Sequence, residues 1–274
     1  MKGVDISHYQ KGSTIWQLKD AGFDFAIIKL TEGISIVDKA AFEFYREAYE
    51  LGFPVGCYCY SHATTAKEAA AEAGHLLDTL NGFPMPCGVF LDVEEPKQLE
   101  LSHDALLDVL DAWCAGIVQH GYIPGVYGSE GNLWTKIKPN ELPDGTMIWV
   151  AKWSQTPPNT PCDLWQTSDC GHVEGHNGNV DIDAVRSNRF KTLVETGGHE
   201  ITYHKRKLAG DSEPEPPSEQ QKSDACPIGK ADPIIMSLQM IMSYAGCWPN
   251  EADGLASPEF FEAARTLLND LEKG

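Results

Sequence analysis

Two hydrophobic periods alternate along the first two-thirds of the chain. Short runs rich in β-branched and aromatic residues predict strands at Val4–Ser7, Phe25–Leu30, Val55–Tyr60, Val89–Val93, Ile123–Tyr127, Met147–Ala151, Leu164–Thr167 and Asn179–Ile182. Between the early runs, apolar residues recur at helical spacing over Ile15–Ala21, Asp38–Leu51, Thr65–Leu80 and Ser102–His120. The third of these helices opens on Thr64-Thr65 with Glu68 close behind. The fourth opens on Ser102 with Asp104 in its first turn. Such side chains cap a helix N-terminus and complement its dipole. Strands that alternate with helices imply parallel pairing, and eight of them imply an α/β fold, a TIM-like (β/α) barrel. The last three connections are short of helical pattern, so the barrel is expected to be irregular.

The pattern breaks at Asp211–Asp224, DSEPEPPSEQQKSD, which has three prolines and no hydrophobic residue. That composition describes a solvated, semi-extended linker. The expected organisation is a catalytic barrel over residues 1–190, a tail and acidic Pro-rich linker over 191–225, and a small C-terminal helical domain over 226–274. His199, His204 and the Lys205-Arg206-Lys207 run read as solvated tail. Beyond the linker, Leu238-Gln239 opens an amphipathic stretch, Asp253-Gly254 marks a turn, and Pro258–Leu271 reads as a further helix. About fifty residues is near the lower limit for independent folding, and a Cys226–Cys247 disulfide would help. Cys162 and Cys170 form a second candidate pair. Cys57, Cys87 and Cys114 lie in apolar contexts and read as buried thiols.

Composition narrows the partners. The 274 residues are 42% hydrophobic and 22% charged, which suits a folded core and not a disordered chain. The formal net charge is −19, of which −11 falls in residues 1–207 and −8 in residues 208–274. An excess of that sign argues against nucleic acid, whose phosphates need Lys and Arg clusters. It also argues against adsorption to anionic surfaces by bulk charge. The longest apolar stretches are of strand length, so no membrane insertion is expected. No apolar segment of signal-peptide type follows the N-terminal lysine.

In a parallel barrel, functional side chains gather at the carboxyl ends of the strands. Those ends carry Asp5, Glu32, Tyr58 with Tyr60, Asp92 with Glu94, Tyr127, Lys152 with Trp153, Trp165 with Gln166, and Asp181 with Asp183. The set is rich in carboxylates and aromatics and offers no metal site and no phosphate loop. The eight cysteines contain no CxxC. His172-Val173-Glu174-Gly175-His176 reads as a glycine-flanked loop, not a metal motif. Asp92 and Glu94 are central. Residues i and i+2 of a strand face the same way, roughly 6.5–7 Å apart at Cα. Two carboxylates so placed repel, and one holds its proton to higher pH, as a general acid must. Glycoside hydrolysis uses two carboxyl groups flanking one bond, with aromatic surfaces for the sugar rings. The competing readings are an acidic surface turn at DVEEP and core packing for roughly half of the strand aromatics.

The same residues resemble glycoside hydrolase family 25, the lysozymes or muramidases. The matching pieces are Gly3-Val4-Asp5-Ile6-Ser7, Ile28-Lys29-Leu30-Thr31-Glu32-Gly33, Val55-Gly56-Cys57-Tyr58-Cys59-Tyr60 and Leu91-Asp92-Val93-Glu94. They continue with Pro124-Gly125-Val126-Tyr127, Ile148-Trp149-Val150-Ala151, Leu164-Trp165-Gln166 and Gly178-Asn179-Val180-Asp181, in the family's order. The resemblance implies hydrolysis of the β-1,4 bond between N-acetylmuramic acid and N-acetylglucosamine in bacterial peptidoglycan, with no cofactor. It implies Glu94 as general acid, and Asp92 as nucleophile or as the group steering the substrate acetamido. Asp5 and Asp181 become supporting acids. Glu32, Tyr58, Tyr60, Tyr127, Trp153, Gln166 and Asp183 become substrate-binding candidates. The chain departs from the family at Cys59, where histidine is frequent, and at Asp183, where asparagine is frequent. The tail resembles a small peptidoglycan-binding module; a homo-oligomer formed through it is the alternative. An endolysin made in the cytoplasm of a bacterial host and acting on the wall after release is the expected setting. A carbohydrate-binding pseudo-enzyme and a metal-dependent deacetylase are the rival readings.

Overall fold

A computed structural model describes residues 1–174 and 178–208. Among them the strands are β1 (Lys2–Ile6), β2 (Phe25–Glu32), β3 (Ile36–Val37), β4 (Val55–Tyr60), β5 (Val89–Asp92), β6 (Pro124–Ser129), β7 (Met147–Ala151), β8 (Leu164–Gly171) and β9 (Val180–Val185). The helices are α1 (Ile15–Asp20), α2 (Ala41–Leu51), α3 (Ala66–Leu80), α4 (Pro96–Leu99), α5 (His103–Gln119), α6 (Leu133–Lys136) and α7 (Asn188–Leu208). Each of the eight expected strands is present, and β3 is a short addition paired to the end of β2. Thr65 and Ser102 cap α3 and α5 as their sequences suggest, Thr65 through a reciprocal box with Glu68.

The sheet runs β1-β9-β8-β7-β6-β5-β4-β2, and β1 returns to pair with β2, so eight strands close into a barrel. Six of the pairings are parallel. The irregularity expected of the last connections lies at β9, which runs antiparallel to both β8 and β1. Side-chain alternation is the same in either direction, so the pattern of apolar residues carries no sign of this reversal. The reversal matters for chemistry. Asp181 stands near the start of β9, yet it lies opposite Asp5 at the carboxyl end of β1.

Two cores flank the sheet. The mantle core packs the buried faces of α2, α3 and α5 (Phe44, Leu76, Leu110 and Trp113 among them) against the barrel's outside. The lumen holds Phe25, Ile27, Phe90, Trp149 and Leu164, all essentially without solvent contact. Glycines make the space for the rings. A Cβ on Gly125 would sit 2.2 Å from the Phe90 ring, and one on Gly3 would sit 2.3 Å from the Phe25 ring. Phe190 of α7 meets Phe25 edge-on at 5.2 Å and is fully buried, so α7 seals the barrel at the amino-terminal end of its parallel strands. Arg189 pairs with Asp163 and donates to the Thr146 carbonyl at 2.6 Å, fixing the start of that helix.

The boundary expected at residue 190 therefore falls inside a helix, and the backbone of the expected tail is helical as far as Leu208. Gly197 and Gly198 look like a break in sequence. They are contact points instead: a Cβ on Gly198 would lie 2.8 Å from the Gly52 carbonyl oxygen, and one on Gly197 would lie 3.0 Å from Pro86. Cys57, Cys87 and Cys114 are buried, and Cys162 and Cys170 carry free thiols, so the Cys162–Cys170 disulfide does not form. The acidic linker, the helical domain over 226–274, the Cys226–Cys247 pair and the Gly175-His176 end of the histidine loop lie outside the described residues. Among the described residues no helix is long and apolar enough to cross a membrane.

Candidate active site

A cleft of about 520 Å³ opens at the carboxyl ends of the parallel strands. Asp5, Glu32, Tyr58, Tyr60, Asp92, Glu94 and Asp181 line it, together with Tyr9, Gln10, Lys29, His62 and Glu95. Asp92 ends β5 and is 6% exposed, with its Oδ1 buried and without a hydrogen-bond partner. Burial, and after it the charge of Glu94, pushes its carboxyl well above the usual range, against an opposing pull from Lys29. Glu94 lies two residues further on, past the end of the strand. Buried Val93 between them keeps the chain extended by donating to the Tyr127 carbonyl at 3.0 Å. Glu94 is exposed along its side chain, yet the cleft walls desolvate its carboxyl and, with the charge of Asp181, raise its pKa; the nearby Tyr127 hydroxyl works the other way.

Three further acids stack on the β1–β9 side. Asp5 is held well above the ordinary carboxylate range by burial and then by the charges of Asp183 and Asp181. Asp183 is raised by burial, and Asp181 by burial and the charge of Asp169. Gln166 organises this group. Its Oε1 accepts from the Tyr127 hydroxyl at 2.9 Å and from the Trp153 indole at 3.0 Å. Two donors on the oxygen leave the amino group to face the acids, and Nε2 donates to Asp5 Oδ2 at 2.8 Å and reaches Asp181 Oδ2 at 3.5 Å.

Expected as substrate contacts, Gln166, Tyr127 and Asp183 instead stand behind the cleft wall at 2%, 6% and 0% exposure. Asp183 accepts the Trp149 indole N–H at 2.8 Å inside the lumen. Trp153 is 60% exposed beside the cleft, with its indole nitrogen committed to Gln166. Residue type was legible here, but depth within the barrel was not. The Asp183→Asn variant keeps the acceptor for Trp149 and removes a charge that burial penalises. Its sign follows from linkage. Above the unfolded-state value of about 3.9, ionising Asp183 costs the folded form until its raised folded value is passed. The asparagine should therefore confer no advantage near pH 3 and a higher Tm near pH 8, with about 2–4 °C for each kcal/mol recovered. Thermal unfolding at the two pH values measures it, and an equal or lower Tm near pH 8 would contradict the assignment.

On the opposite rim Glu32 and Tyr60 stand where the sequence suggests, but their partners Lys29 and His62 were not anticipated. Lys29 Nζ pairs with Glu32 Oε2 at 2.6 Å and sits 5.1 Å from the centre of the Tyr60 ring. This pairing, before any other effect, holds Glu32 below its ordinary pKa. Strict alternation would put residues 29 and 32 on opposite faces. A bulge between Lys29 and Thr31 resets the register against β4 and brings them together. His62, just beyond β4, reaches Glu95 Oε1 with Nδ1 at 3.0 Å and Glu32 Oε1 with Nε2 at 3.3 Å.

A barrel whose open end presents an exposed acid beside a buried one, among aromatic walls, has the form of a glycoside hydrolase. The chain belongs to the glycosyl hydrolases family 25, whose family model matches residues 4–176. It is 29% identical over 189 residues to the autolytic lysozyme of Clostridium acetobutylicum, covering 67% of this chain and 55% of that protein. It is 28% identical over 211 residues to lysozyme M1 of Streptomyces globisporus, covering 71% and 70% of the two chains. Among solved structures, the bacterial lysozyme of Streptomyces coelicolor superposes with a TM-score of 0.60 at 25% identity, over 73% of this chain and 97% of that one. The chain thus spans about half the length of the autolytic lysozyme it matches.

Proposed function

We propose that the protein hydrolyses bacterial peptidoglycan, cutting the β-1,4 bond between N-acetylmuramic acid and N-acetylglucosamine. The observation that carries this reading is the placing of Glu94 in the open cleft, with a raised pKa, two residues from the buried carboxyl of Asp92. The names of the lysozymes it resembles support the choice of polymer. An acid with a raised pKa holds its proton to higher pH than an ordinary carboxylate and can protonate the departing glycosidic oxygen, and an acid out in the cleft can reach that oxygen. Asp92, lower in the cleft, either attacks the anomeric carbon or orients and charge-stabilises the substrate's 2-acetamido group as it attacks. Both routes give net retention of configuration. Inversion requires a base holding water on the other ring face, and Asp5 or Asp181 is the candidate there.

Two measurements on purified peptidoglycan test the reading. Mass analysis of the fragments should find new reducing ends on muramic acid; ends on glucosamine alone would refute the muramidase specificity. Proton NMR should find the β-anomer formed first. An initial α-anomer would assign inversion and make Asp181 or Asp5 the general base.

A further inference from the structure

We propose that His62 is a positioning residue for Glu94: as an imidazolium it bridges Glu32 and Glu95 across the rim and so holds the turn that carries the acid. The inference rests on the glycosidase reading of Glu94. Both ring nitrogens face carboxylate oxygens, Nδ1 toward Glu95 at 3.0 Å and Nε2 toward Glu32 at 3.3 Å. A neutral imidazole has one N–H, so one of its nitrogens would present a lone pair to a carboxylate; only the imidazolium donates on both sides. Glu95 directly follows Glu94 and begins the turn into α4. Fixing its side chain fixes the backbone from which Glu94 projects.

The histidine is itself held from behind. Its backbone N–H donates to Glu72 Oε1 at 2.9 Å, and Ser61 Oγ donates to Glu72 Oε2 at 2.6 Å. Glu72 is 2% exposed on α3, and Gln98 of α4 completes the bracket by donating to Ser61 Oγ at 2.8 Å. A buried carboxylate spent on anchoring one exposed histidine is hard to explain as surface decoration. Space for the ring is also provided. Gly33 has φ +56°, and a Cβ there would stand 3.2 Å from the imidazole Cδ2. The Tyr60 ring meets the imidazole edge-on at 5.4 Å. The groups facing His62 are therefore Glu32 with its partner Lys29 from β2, Tyr60 from β4, Glu72 from α3, and Glu95 with Glu94 and Asp92 behind it.

The test compares the full chain with His62→Gln and His62→Arg. It uses kcat and KM for reducing-end release from soluble peptidoglycan fragments across pH, and NMR detection of the His62 ring N–H groups. Displacing an acid by about 1 Å costs up to about 10²-fold. His62→Gln should therefore lose about 10- to 10²-fold in kcat with little change in KM. Arginine donates on both sides at every pH. His62→Arg should keep most of the activity and extend it to higher pH than the wild type, which declines as the His62 N–H signals are lost. Unchanged kcat in His62→Gln, or one shared alkaline limb in wild type and His62→Arg, overturns the proposal. If His62→Gln does not fold, Glu95→Gln removes the same arm from the other side and carries the same expectation. Wild-type chain that releases no reducing ends refutes the glycosidase reading separately. The bridge is then judged by NMR alone, and a ring with one N–H throughout overturns it.

Discussion

Glu94→Gln should lower turnover on peptidoglycan by about 10²–10⁴ while leaving the fold and Tm essentially unchanged. The substitution preserves shape and removes only the transferable proton, so the leaving oxygen would have to depart as an alkoxide. Structure supports the second half of the expectation. Glu94 lies beyond the last residue of β5 and projects into the cleft, so no packed contact is lost. Its pKa is raised in the folded protein, so replacing it removes a small cost at neutral pH and no stabilising charge. Rates from reducing-end release, set beside circular dichroism of the same samples, decide the matter. A folded variant of near-normal rate would remove Glu94 from the mechanism.

Phe90→Ala should cost about 3–5 kcal/mol, which lowers Tm by about 6–20 °C in a domain of this size. Phe90 has no solvent exposure, meets the Trp149 ring at 5.3 Å, and fills the hollow left by Gly125. A rigid closed barrel can collapse little around the void. Because Trp149 also donates to Asp183, the loss should reach the acid cluster as well as the core. Chemical denaturation with the unfolding slope compared between variants checks it. A destabilisation under about 1 kcal/mol would mean that the lumen repacks, contrary to its observed closeness.

How much of this was legible beforehand varies with the physics involved. The strands at Val55–Tyr60 and Met147–Ala151 were readable to the residue, because β-branched and aromatic runs bounded by turns have few other uses. The α3 start was readable because Thr65 and Glu68 form a local motif that needs no tertiary partner. Asp5, Asp92 and Glu94 follow from one rule about strand ends, whereas Asp181, near the start of β9, joins them in one cleft only because that strand is reversed. What failed was non-local. The direction of β9 depends on which neighbours it joins. The two glycines within α7, Gly197 and Gly198, find their use only in the close approach to Gly52 and Pro86. The pairing of Lys29 with Glu32 depends on a bulge, and the importance of His62 depends on carboxylates 30 and 33 positions away. Depth, too, is tertiary: Gln166 and Asp183 carry site chemistry in their side chains but stand behind the wall.

The seam where the first strand meets the last has a kinetic meaning. Gln166 and Asp5 are 161 positions apart, and Asp181 joins them only when β9 enters between β8 and β1. Pairings of such sequence separation form late, since the loop entropy they must overcome is the largest in the chain. The parallel staves from β2 to β8 can assemble through neighbours close in sequence, but the acid group on the β1–β9 side is completed only with the final stave. A polypeptide halted before β9 would hold Asp92 and Glu94 at the lip of an open sheet, without Asp181 and without the buried companion Asp183. Refolding experiments should accordingly see helical signal recover before hydrolytic activity, with the lag set by barrel closure.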